Sequence, residues 1–297
     1  MITMGRTIAQ IREDFARGDA IRDEGLPLPE DVQRFEDLPY GPHPENLLDV
    51  YCPAGTETPL PTIISFHGGG WVYGSKKVYS HYCMRLARRG FTVVNFDYRL
   101  APESKYPAPL EDMCNVAKWV LDNAGSYFID TNNLFMVGDS AGGQMAFQFL
   151  ALLTNPKFAK LFSVKAPEGF LINACGLNCG CYFMPISRLV SPKRAGTMFE
   201  AYYPEDYMSV VPQFKVNKYV TNQFPPAFVM TAQNDYLKMM AAPLHKLLKR
   251  RGVETELHIY GTKEQKEIGH CFHLNSRSEL ADKCNDEQCV FLRKYIR

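Results

Sequence analysis

Ser140, in Gly138-Asp139-Ser140-Ala141-Gly142, is the residue whose neighbours best suit covalent chemistry. A hydroxyl is a weak nucleophile until a base takes its proton and amide donors receive the charge that develops on the attacked carbonyl. Glycines on either side suit a sharp strand-to-helix turn, because without a Cβ the two elements can approach closely. Such a turn holds the serine at the N-terminus of a helix, where backbone N–H groups lack partners and partial positive charge gathers. The same residues also suit a serine capping an ordinary helix, so the motif gains weight only from its partners.

A second glycine cluster, His67-Gly68-Gly69-Gly70, follows an apolar run at 62–66. Three glycines in a row weaken any regular element but let a backbone turn its N–H groups on a ligand. Gly69, Gly70 and Ala141, the residue after the serine, are the expected oxyanion donors. The spacing lacks the pattern of a phosphate-binding loop. His67 precedes the glycines and reads as a ring packed against the strand end rather than as a base.

With this kind of turn, an acid and a histidine follow the serine in the chain, each after a strand. Asp235 comes just after an apolar run at 227–231, although a plain turn aspartate would also suit that place. After a run at 256–260 two histidines qualify, His270 and His273. His270, behind Gly269 in a loop that can reach over a sheet edge, is the preferred base. His245 and His258 fall within a helix and a strand and read as packing or surface residues. Any one of these features is weak, but the four in one order are specific.

Elements that would position these groups alternate along the chain. Strands are expected at 47–51, 62–66, 91–96, 134–137, 169–174, 227–231 and 256–260. Helices are expected at 3–24, 79–89, 110–123, 141–153, 243–251 and 279–295. The alternation predicts an α/β architecture, with a mostly parallel central sheet and helices on both faces. Residues 176–224, rich in Tyr, Phe, Met and Pro, are too many for a structureless loop and read as a helical cap insertion. Residues 1–45 read as an N-terminal helical cap segment, which leaves 46–175 and 225–297 as the catalytic domain. Trp71 and Tyr73 beside the glycines, and Phe272 beside His270, are the expected substrate-pocket wall, though core packing is the simpler reading of any single aromatic.

The chain has 297 residues and a formal net charge of +1, with no long basic stretch, which argues against nucleic acid as a partner. Its basic run at 246–251 suits the end of a helix. Nine cysteines, an odd number in a chain of this length, read as free thiols in a reducing compartment. Cys175, Cys179 and Cys181 lack a fourth ligand pattern, so neither a metal nor a cofactor is expected. With no signal-like segment and no apolar run long enough to span a bilayer, the reading is cytoplasmic without stable membrane association. A homo-oligomer is compatible with this composition.

His67-Gly68-Gly69-Gly70-Trp71, the segment Tyr98-Arg99-Leu100-Ala101-Pro102-Glu103, the following Tyr106-Pro107-Ala108-Pro109-Leu110-Glu111-Asp112 and the serine motif together resemble the hormone-sensitive-lipase-like esterases, bacterial family IV of the α/β-hydrolase superfamily. The resemblance runs from about residue 47 to the C-terminus. It implies an α/β-hydrolase fold with a cap, hydrolysis of small-molecule carboxylic esters of short to medium acyl chain, acetyl among them, and no cofactor. It also supports the triad Ser140, His270 and Asp235, and makes 98–103 a turn that supports the oxyanion loop. Two motifs depart from the family: Thr231-Ala232-Gln233 replaces Thr-Ala-Gly, and His270-Cys271-Phe272 replaces His-Gly-Phe. Rival readings are a ligand-binding receptor on this fold, against which His270 argues, and an amidase or peptidase using the same triad.

Overall fold

The structure, a computed structural model, describes residues 6–184 and 197–297. Eight strands form one sheet: β1 (Val32–Pro39), β2 (Leu47–Pro53), β3 (Leu60–Phe66), β4 (Thr92–Phe96), β5 (Ile129–Asp139), β6 (Ala174–Asn178), β7 (Ala227–Ala232) and β8 (Thr255–Tyr260). Their order is β1-β2-β4-β3-β5-β6-β7-β8. The β1–β2 and β2–β4 pairs are antiparallel, and all pairs from β4 to β8 are parallel. Four helices matter most for the site: α1 (Ile8–Asp23), α2 (Lys76–Ala87), α3 (Ala108–Asn123) and α4 (Ser140–Thr154).

The central strands are apolar on both faces, as a parallel sheet covered on both sides requires. Ile64, Phe66, Val94, Phe96 and Met136 join the core that includes α3 and α4. Their neighbours Ile63, Val93, Phe135 and Val137 join a second core with α2 and the helix Glu279–Arg293. This two-residue alternation sorts the side chains between two cores on opposite faces of the sheet. Among the described residues no helix is long and apolar enough to cross a membrane.

Helix α1 begins in a capping box. The Gln10 N–H donates to the Thr7 hydroxyl at 3.2 Å, and the Thr7 N–H donates to the Gln10 side chain at 2.9 Å. The expected start at residue 3 lies outside the described residues. Ile11 is its one fully buried side chain, while Ile21 is exposed. Arg12 carries its functional weight: the guanidinium donates to the carbonyls of Val72 (2.7 Å) and Ala101 (3.0 Å) and pairs with Glu103 at 2.6 Å. One side chain thereby ties the N-terminal segment to the glycine loop and to the 98–103 turn.

Two expectations need correction. Residues 32–39, placed in a helical segment, form edge strand β1. Its register shifts between Phe35 and Leu38, where Asp37 has φ +57° and its N–H donates to Asp49 at 2.9 Å. The bulge breaks the two-residue period and an edge strand needs few apolar residues, so no strand pattern survives in the sequence. The strand expected at 169–174 instead runs from Ala174 to Asn178, into the segment assigned to the cap. A Cβ at Gly176 would lie 2.7 Å from the side chain of Gln288 on Glu279–Arg293. The Gln288 amide, donating to Asn178 at 2.8 Å, fills the space beside this glycine, and the glycine hides the strand from a propensity reading.

Candidate active site

Ser140 begins α4 directly after β5, and its φ is +53°. A non-glycine residue in this left-handed region carries about 1–2 kcal/mol of strain. The turn is forced by contact with the next loop: a Cβ at Gly142 would lie 2.1 Å from the Phe66 carbonyl oxygen and 2.4 Å from that of His67. Strand β3 and helix α4 meet backbone to backbone here, which only glycine permits.

Ser140 Oγ lies 2.9 Å from His270 Nε2, and His270 Nδ1 lies 2.8 Å from Asp235 Oδ1. Asp235 is buried. Its Oδ1 also accepts the Leu237 N–H at 2.8 Å, and Oδ2 accepts the Thr231 hydroxyl at 2.7 Å. Burial works to raise the carboxyl pKa, but the hydrogen bond and charge of His270, with the Leu237 and Thr231 donors, carry it below its ordinary value. An ionised Asp235 holds the proton on Nδ1 and leaves Nε2 to accept from the serine. The Asn234 side chain donates to the carbonyls of Thr262 (2.9 Å) and Gln265 (2.8 Å), tying the loop that carries Asp235 to the loop that carries His270.

The glycine loop is braced from several sides. Gly69 has φ +117°, and the N–H groups of Val72 and Tyr73 donate to its carbonyl at 3.3 and 3.1 Å. His67 is a buried ring stacked 4.0 Å from Tyr98, and burial pushes its pKa down to about 4. The Tyr98 hydroxyl donates to the His67 carbonyl at 3.0 Å, and the Ala101 N–H donates to the Trp71 carbonyl at 2.9 Å. The 98–103 turn thus packs directly on this loop. Tyr79 accepts the Gly68 N–H and donates to Asp139 Oδ2, each at 2.8 Å. Burial raises the Asp139 pKa to about 6, against the opposing hydrogen bonds of Cys271 and Tyr79.

The expected wall residues part company. Trp71 stacks 5.0 Å from Tyr202, lies 5.0 Å from Phe199, and donates its indole N–H to Gln144 at 3.0 Å. Tyr73 donates to Asp19 of α1 at 2.8 Å. Phe272 belongs to the other core, 5.5 Å from Tyr260, so it is not brought together with Trp71 and Tyr73. Sequence reasoning missed Tyr236, whose exposed ring lies 4.2 Å from the His270 ring. It also missed Met198, whose sulfur would lie 2.4 Å from a Cβ at Gly70. Neither has a motif of its own; only the fold brings them to the site.

His273, the alternative base, is buried 5.2 Å from the Tyr82 ring, and neither ring nitrogen has a hydrogen-bond partner among the described residues. Burial pushes its pKa down to about 3, with the neighbouring charges of His270 and Arg22 adding to the effect. An imidazole held neutral in the fold and free to charge when unfolded contributes stability above pH 6.5, which is lost as pH falls toward 3. His273→Phe is therefore expected to exceed the wild type in stability at pH 5, relative to pH 7, by about 2 kcal/mol. Urea unfolding at the two pH values measures this, and an unchanged pH dependence would refute it. His258 stacks 4.3 Å from Phe228 and pairs with Glu256 at 3.0 Å, and His245 lies 3.4 Å from Thr255.

The 63–274 stretch matches the alpha/beta hydrolase fold family. The chain is 41% identical over 100 residues to a versiconal hemiacetal acetate esterase of Dothistroma septosporum, covering 33% of this chain and 30% of that protein. It is 28% identical over 214 residues to a carboxylesterase of Mycobacterium tuberculosis, covering 70% of this chain and 66% of the relative. Both matches span less than two thirds of the relative's own length. Among solved structures it resembles esterase B of Lactobacillus rhamnosis, with a TM-score of 0.86 at 22% identity over 97% of this chain and 94% of the other, a likeness of fold. The family match covers well over half the chain and takes in both glycine motifs, Asp235 and His270: the chain belongs to the alpha/beta hydrolase fold family, within its hormone-sensitive-lipase-like branch.

Proposed function

We propose that the chain is a serine carboxylic-ester hydrolase in which Ser140 is the nucleophile, His270 the general base and Asp235 the orienting acid. The observation that carries this reading is the continuous relay of 2.9 and 2.8 Å from Ser140 through His270 to Asp235. The esterase names of the relatives agree with it. Ser140 Oγ attacks the ester carbonyl as its proton passes to His270 Nε2. The amides of Gly69, Gly70 and Ala141 receive the oxyanion, and His270 then protonates the leaving alcohol. Water, activated by the same imidazole, releases the acyl group. The step needs His270 Nε2 unprotonated, so that its lone pair can take the serine proton.

The acyl group is short. Met198 against Gly70, with Phe199 and Tyr202 against Trp71, supports a tight wall beside the oxyanion loop. These residues belong to the helix Thr197–Tyr202, which with α1 makes the cap in this reading; residues 185–196 of the cap lie outside the described residues. Acetyl and butyryl nitrophenyl esters are expected to exceed the decanoyl ester in kcat/KM by at least about tenfold, as lost fit in a closed pocket implies. Equal rates across the series would remove the short-acyl assignment. A fluorophosphonate is expected to label Ser140, and an unlabelled serine would remove the hydrolase assignment and favour a ligand receptor.

A further inference from the structure

Six non-glycine residues among those described have positive φ, and two of them are cysteines: Cys179 (+47°) and Cys271 (+56°). Neither thiol is oxidised, and the two cysteines lie far apart in sequence. Cys179 follows β6, its N–H donating to the Met230 carbonyl at 2.7 Å, and Cys271 directly follows His270. The strain at both positions would vanish with glycine, yet both carry a thiol. Their two sulfurs and a ring nitrogen of His270 all lie within 4.8 Å of one another. The Cys271 thiol is also 3.1 Å from Asp139 Oδ2, which puts a carboxylate oxygen at the edge of the cluster. His270 and Cys271 are partly exposed and Cys179 is buried behind them, so an ion can enter past the base.

We propose that Cys179, Cys271 and His270 form a site for a thiophilic divalent cation of the zinc type, and that its occupancy reversibly switches the hydrolase off. Two sulfurs and an imidazole, with a carboxylate or water as fourth ligand, make a soft tetrahedral set suited to this class of ion. On binding, both thiols release their protons to solvent, and two metal–sulfur bonds and one metal–nitrogen bond form. The switch rests on the triad reading. A metal on Nδ1 displaces Asp235 and leaves the ring proton on Nε2, facing Ser140. A metal on Nε2 consumes the lone pair that would take the serine proton. Either way no base remains.

The full chain, stripped with a chelator, is titrated with zinc against a chromophoric competitor while ester hydrolysis is followed in parallel. One zinc per chain is expected, with activity falling in step with occupancy by at least twentyfold and returning on addition of EDTA. Cobalt in place of zinc is expected to show thiolate-to-metal charge-transfer absorption. Cys179→Ala and Cys271→Gly are expected to retain hydrolysis in zinc-free buffer and to need at least tenfold more zinc for inhibition. Ser140→Ala is expected to bind zinc like the wild type, so a failure of the triad reading is distinguishable from a failure of the metal site. Absence of stoichiometric zinc, zinc bound without loss of activity, or undiminished zinc sensitivity in both cysteine variants would each overturn the proposal.

Discussion

Ser140→Ala is expected to lower kcat for ester hydrolysis by about 10⁵–10⁶-fold, with the thermal midpoint nearly unchanged. The hydroxyl is the only part of the side chain removed, and alanine keeps the same backbone demand at φ +53°. Without the oxygen no acyl-enzyme can form, and what remains is the smaller effect of binding and of the oxyanion amides. His270→Gln is expected to cost about as much, because a serine without its base is as inert as a base without its serine. For the same reason the double variant should be no slower than either single one. Initial rates on a butyryl nitrophenyl ester, with calorimetry as the fold control, measure all three. A Ser140→Ala protein retaining a hundredth of the wild-type rate would end the nucleophile assignment.

Asp235→Ala ranks second, with an expected loss of about 10⁴-fold in kcat. It strips the imidazole of its Nδ1 acceptor and leaves the Thr231 hydroxyl and Leu237 N–H facing a void. Asp235→Asn is expected to be milder here than alanine. The Leu237 N–H demands an acceptor at Oδ1, whereas the Thr231 hydroxyl can turn to receive a donor at Oδ2. The amide therefore keeps its oxygen toward His270 and preserves the tautomer, and only the charge is lost. An asparagine variant as slow as the alanine variant would show that this orientation is not held. Because the Asp235 pKa is depressed, the carboxylate stays ionised through mild acidification, and its charge on the imidazole persists there.

The strands β3, β4, β5 and β7 were legible because their apolar residues cluster between glycine, proline or polar residues, and β8 because Leu257 and Ile259 alternate with Glu256 and His258. Both strand errors have one origin. In β1 a bulge, and in β6 the close approach of a helix, imposed residues that a strand pattern does not contain. A pattern reading sees what each residue prefers, and at those two places a neighbour far along the chain overruled the preference.

The amino-acid sequence by itself determined where the chain can turn sharply and which groups stand at those turns. Gly142 admits no side chain, Ser140 sits at a helix start, and Asp235 and His270 each follow a strand. Those are local consequences of backbone sterics and strand length. Only the tertiary structure decided which distant groups meet: Thr231 on Asp235, Tyr236 beside His270, Met198 over Gly70, and Cys179 beside Cys271. Ser140 and His270 are separated by 130 residues, and their 2.9 Å contact exists because the sheet order brings the ends of β5, β7 and β8 to one edge. Proximity of that kind is set by strand order and by helix packing on both faces, which no short stretch of sequence encodes.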